Sequence, residues 1–203
     1  MTLTNTLTIN SDVKLLQGVL NLGANTQYLA GGISVNAGGI IGNSLHTLEL
    51  NGSALQIASF TAGTTFNQFN INSSSKVLML GTSFSVSTLT AVAGAFELGG
   101  GTLTVSSMSV QSAATFVAYT GTLRGPAVIA GSMSVTGLIY DGNSTSGLQI
   151  VPGAVIGNFS TVTFRNTPAS IPAVRFGIAS GTYTLSGHVF DASVSSSNVD
   201  ASA

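Results

Sequence analysis

Three residues have the types and spacing to act together. Asp141, Arg165 and Asp191 follow the matched triplets Leu138-Ile139-Tyr140, Val162-Thr163-Phe164 and His188-Val189-Phe190, at intervals of 24 and 26 residues. A pair of carboxylates flanking a sugar is the machinery of glycoside hydrolysis. If the interval marks one structural repeat, the two carboxylates stand two repeats apart, about 10 Å, just outside the inverting range of about 6.5–9.5 Å. The guanidinium between them would lower both pKa values, the wrong direction for a general acid. With signs minus, plus, minus, the trio reads better as a structural ion-pair ladder. Exposed pairs of that kind are worth about 0–1 kcal/mol each.

The other ionisable residues supply no catalytic set. Glu49, Lys76, Glu97 and Arg124 again alternate in sign, and Arg175 extends the series. Charge on outward strand positions limits edge pairing; a sugar- or carboxylate-binding strip is the alternative. His46 and His188 lie far apart with no carboxylate cluster around them. The chain has no paired-histidine zinc motif, acidic calcium loop, serine elbow or phosphate loop. Gly99-Gly100-Gly101 lacks the helix that a phosphate loop needs and reads as a tight corner. No cofactor and no catalytic residue is expected, and the protein does not read as an enzyme.

Composition narrows the classes further. The 203 residues carry 5 Lys and Arg and 6 Asp and Glu, so charged residues make up 5%, against roughly 25% in ordinary domains. Ser, Thr, Asn and 25 Gly stand in their place. A net charge of -1 cannot neutralise a phosphate backbone, so nucleic acid is not an expected partner. No run approaches the roughly 20 apolar residues of a membrane helix, and membrane insertion is not expected. Disorder requires low hydrophobicity with high net charge, and the chain is 44% hydrophobic. The absence of cysteine removes disulfides and thiolate sites. Met1 to Asp12 has no basic stretch or apolar block and does not read as a signal peptide.

The elements that must position these residues are announced by a repeat. A four-residue pattern, hydroxyl or small then apolar, twice over, reads TLTI at 6–9, GISV at 32–35, SFTA at 59–62 and SFSV at 83–86. It returns as SMSV at 107–110 and 132–135, NFST at 158–161 and TYTL at 182–185, so intervals run from 24 to 27 residues. Alternation at period 2 means strand, with second and fourth positions on one side. The inward second positions are Leu7, Ile33, Phe60, Phe84, Met108, Met133, Phe159 and Tyr183. Glycine before many copies suits a corner. No helix fits: Gly18 and Gly23 interrupt the best candidate, Ser11 to Leu22. The pattern predicts a single domain over 1–203, an all-β right-handed parallel β-helix (a β-solenoid) of about eight coils of 24–27 residues.

The repeated stretches LAGGISV, IAGSMSV and SGTYTLSGHVFDASVSSSNVDASA resemble the β-helical stalks of large bacterial surface proteins, autotransporter passengers and filamentous-haemagglutinin-like adhesins. The resemblance implies an extracellular, cell-surface location, a structural or adhesive role and a longer parent protein. It brings no functional residue with it. Bare coil ends are unpaired strand edges, so the chain is expected to be a segment of a longer rod or to stack on copies of itself end to end. Neighbouring coils or further copies are the expected partners, with surface glycans a further candidate and an ice- or carbohydrate-binding array the other alternative. A charge placed in the inward set tests the register: Met108→Asp is expected to abolish the cooperative unfolding transition followed by circular dichroism, and an unchanged transition would refute it.

Overall fold

The computed structural model describes residues 2–36, 39–41, 46–80, 83–142, 147–167, 171–177, 186–191 and 199–200. Among them there is no helix, and so none long and apolar enough to cross a membrane. The chain winds as a parallel β-solenoid of about eight turns, each turn laying one strand on each of three faces. The first turn is β1 (Leu7–Ile9), β2 (Val13–Leu15) and β3 (Val19–Asn21); the second is β4 (Thr26–Leu29), β5 (Ile33–Val35) and β6 (Gly39–Ile41). After β7 (Thr47–Leu50) and β8 (Gln56–Ser59), the chain stays extended through β9 (Thr64–Leu80) and β10 (Phe84–Arg124), which bend around the corners without a break. Shorter strands then resume: β11 (Ala127–Ile129), β12 (Ser132–Thr136), β13 (Ile139–Asp141), β14 (Leu148–Ile150), β15 (Val155–Ser160), β16 (Thr163–Arg165), β17 (Val174–Phe176), β18 (Val189–Phe190) and β19 (Val199–Asp200).

Among the described residues every strand pair is parallel, and each joins a strand to its counterpart on the next turn. Face I runs β1, β4, β7, then through β9 and β10 to β11, β14, β17 and β19. Face II runs β2, β5, β8, again through β9 and β10, to β12 and β15. Face III begins with β3 and β6 and ends with β13, β16 and β18. The sequence that folds as β2 and β3 is the stretch whose glycines interrupt a helix.

Inward side chains fill the space between the faces. Phe60, Phe66, Phe69 and Phe84 form one aromatic cluster, with ring centroids 4.9–6.0 Å apart. Phe96 and Phe116 pack at 5.4 Å in the middle of the rod. Phe159, Phe164, Phe176 and Phe190 make a second cluster near the last turns. Such contacts add about 0.5–1.5 kcal/mol each beyond area burial.

The length of a turn is not uniform. Leu7 pairs with Gln27, Thr47 with Gln68, Arg124 with Asp141 and Leu148 with Val174, offsets of 20, 21, 17 and 26 residues. Hence the second positions of the repeated motif do not form one column. Ile33 stands opposite Ala58, Phe84 opposite Thr64, Met108 opposite Ala127, and Met133 opposite Phe116. The motif marks an inward strand, but successive copies fall on different faces because corners differ in length. Ile33, Phe60, Phe84, Met108, Met133 and Phe159 are nevertheless all buried. Leu7 is the exception at 39% exposed. Tyr183 lies outside the described residues.

Glycine is indispensable at particular corners. Gly125 has φ +111°, a region that side chains rarely adopt, and a Cβ there would collide with the carbonyl oxygen of Val105. Its own carbonyl accepts the Tyr140 hydroxyl at 2.8 Å. Gly125→Ala is therefore expected to cost at least about 2 kcal/mol, read from urea unfolding; a loss below half that would show that the corner relaxes freely.

Candidate functional site

The charge column sits at the end of face III strands. β10, β13 and β16 place Arg124, Asp141 and Arg165 directly opposite one another on three successive turns. Arg124 Nη2 and Nε donate to Asp141 Oδ2 at 2.9 and 3.2 Å. Arg165 Nε lies 3.4 Å from the same oxygen, and Asn166 Nδ2 donates to Oδ1 at 3.1 Å. Asn166 reaches it from a left-handed backbone at φ 53°, a conformation asparagine tolerates better than most. Asp191 follows Phe190, which pairs with Phe164, so it continues the column beyond Arg165.

Asp141 is 1% exposed while the guanidinium-bearing side chains beside it are 43% and 36% exposed. Burial alone would raise its carboxyl, but the hydrogen bonds from Asn166 and Arg124 and the charges of Arg124 and Arg165 outweigh it. The group is held below the ordinary carboxylate range. Both oxygens are engaged, so this carboxylate has neither a proton to give at neutral pH nor access to a sugar. The arrangement can bind turns together and does not supply a general acid.

The second alternating series is not one column. Glu49 stands on face I, where Asn70 and Asn72 donate to it at 3.4 and 3.2 Å. Lys76 and Glu97 belong to face II and pair at 2.7 Å, and Glu97 raises the Lys76 ammonium. Arg124 belongs to face III, and Arg175 pairs on face I with Asp200 at 2.8 Å. Alternating sign along the chain does not mark one column: a 17-residue turn brings Arg124 onto Asp141.

Polar side chains that the sequence did not single out make similar ties. Gln56 Nε2 donates to the Leu29 and Gly31 carbonyls of the preceding turn at 2.9 and 2.7 Å while its Oε1 accepts from Gly52. Gln27 likewise donates to Asn5 and Leu22 and accepts from the Leu7 N–H. The histidines do the same work. His46 Nε2 accepts the Asn67 N–H at 3.0 Å. His188 Nδ1 accepts the Val162 N–H at 3.3 Å, which leaves its Nε2 proton for the Phe159 carbonyl at 3.2 Å. No sequence motif marks such residues, since an isolated Gln or His between apolar neighbours becomes recognisable only with the register.

Two further features complete the inventory. A shallow groove on face III is lined by the hydroxyls of Thr65, Ser85, Ser87, Thr104 and Ser106 over Phe66, Val86 and Val105. Among the described residues no group of three or more His, Cys, Asp or Glu could hold a metal ion. No protein-family model, curated protein or solved structure matches the chain. The β-solenoid scaffold with its charges engaged turn to turn is consistent with a structural, non-catalytic role.

Because the folded carboxyl of Asp141 titrates below its unfolded value, its stabilisation is present at neutral pH and is lost as pH falls below about 4. Asp141→Asn is expected to lose about 2 kcal/mol at pH 7 and to flatten the acid limb of stability against pH. Equal acid sensitivity of variant and parent would remove Asp141 from that account.

Proposed function

We propose that the chain is a structural rod segment of a secreted bacterial surface or adhesin-like protein, which spaces or presents other parts and can join further copies end to end. The observation that carries this reading is where the polar groups go. Asp141, Lys76, Arg175, Gln27, Gln56 and both histidines reach across to another turn, and the described residues hold no group of three or more His, Cys, Asp or Glu that could bind a metal ion. At about 4.8 Å per turn, about eight turns extend roughly 40 Å, a length suited to spacing. The likeness of its repeats to surface stalks supplies the location.

A second reading, glycan binding, rests on the hydroxyl-lined groove of face III, and a glycan array returning nothing would remove it.

The decisive test is location. An antibody raised against the chain is expected to label intact, unpermeabilised source cells, and labelling only after lysis would overturn the surface role. Negative-stain images at rising concentration should contain filaments of constant width; separate short rods at every concentration would sink end-to-end joining.

A further inference from the structure

Ten large hydrophobic residues stand exposed among the described residues, and their distribution is not even. Leu7, Leu16, Val19, Val189 and Val199 belong to the first or last turns of the described residues. The remaining five, Leu55, Ile57, Leu80, Tyr119 and Val155, all stand on or next to the strands of face II. Scattered surface hydrophobics need no explanation, but an apolar strip confined to one flat face does.

The centre of the strip is built in detail. Ile57 stands opposite Leu78, and Ser59 opposite Leu80. The next turn brings Glu97 opposite Leu78, so the residue that follows Leu80 along the face is Gly99. A Cβ on Gly99 would lie 3.0 Å from Leu78 Cδ1 and 3.3 Å from Leu80 Cδ2. The two leucines thus spread over glycine backbone and carry the apolar surface into the next turn. One turn further, Phe116 packs against Phe96 from inside, and Tyr119 presents its ring outside, 57% exposed.

Charge identifies what covers this strip. Lys76 and Glu97 lie at its middle on consecutive turns, paired with each other at 2.7 Å, with the lysine side chain 47% and the glutamate 14% exposed. A surface carrying one of each sign on either side of a centre is complementary to itself under a two-fold axis. We propose that face II is the lateral interface between two copies of this chain, lying side by side and antiparallel, with Lys76 of each copy facing Glu97 of the other. That arrangement also sets the leucine cluster of one copy across from the Gly99 turn of the second, and the Ile57 turn across from the turn that carries Tyr119. A net charge of -1 per chain offers almost no repulsion to the approach. The contact is distinct from end-to-end joining, which uses strand edges and not a sheet face.

Sedimentation velocity of the full chain across a wide range of concentration tests the pairing. The expected result is a reversible monomer–dimer equilibrium. Leu80→Asp should abolish it, and Lys76→Glu or Glu97→Lys should each weaken it at least about tenfold. The double swap of Lys76→Glu with Glu97→Lys should restore it. Circular dichroism melts of Leu80→Asp and of the double swap should match the parent, which separates loss of pairing from loss of fold. A chain that is monomeric throughout, a dimer indifferent to Leu80→Asp, or a double swap as weak as the single ones would overturn the proposal. So would a monomer that pelleted with phosphatidylcholine vesicles through Leu80, which would assign the face to a lipid surface.

Discussion

Everything in the molecule depends on keeping parallel strands of successive turns in register. A slip of one residue would turn the inward set to solvent, and three faces must hold at once because one chain supplies all of them. Backbone ladders set the spacing between turns, and the aromatic clusters decide which side faces in. Side chains then lock adjacent turns against sliding: Gln27 and Gln56 grip carbonyls from the turn before, while His46 and His188 accept N–H groups of strands beside them. These amides and imidazoles are nearly or partly buried, where an unsatisfied group would be costly, so their bonds also penalise a wrong register.

Charge follows the same constraint. Asp141 is affordable inside only because three donors converge on it from two adjacent turns, and its depressed proton affinity reflects that convergence. The arrangement explains why Asp141 is no general acid: the groups that hold it in place also keep it ionised. Face II differs. There the Lys76–Glu97 pair is bordered by exposed aliphatic side chains, and its environment looks outward to another surface.

The solenoid itself was legible because alternation of hydroxyl and apolar residues survives in copies such as SMSV, and because glycine recurs too often for a helix. Burial at Phe84, Met108 and Met133 could be read from that alternation alone. Register could not. The motif says which side of a strand faces in but not which face the strand occupies, and corner length, unmarked in sequence, decides that. Alternating sign therefore grouped Arg124 with Glu49 and Glu97, when its partner is Asp141. Leu7 was misjudged: it holds the apolar second position of its copy and is nevertheless exposed.

The unequal turns carry a consequence for how such a chain can vary. Strands on each face stay matched while the path between them grows from 17 to 26 residues, so length is absorbed at corners without disturbing a ladder. Each turn touches mainly the ones above and below, which makes stability approximately a nearest-neighbour sum. Insertions at corners and gain or loss of whole turns are then nearly independent changes. A lineage could thicken, lengthen or decorate this scaffold piecemeal, with no need to redesign the remainder.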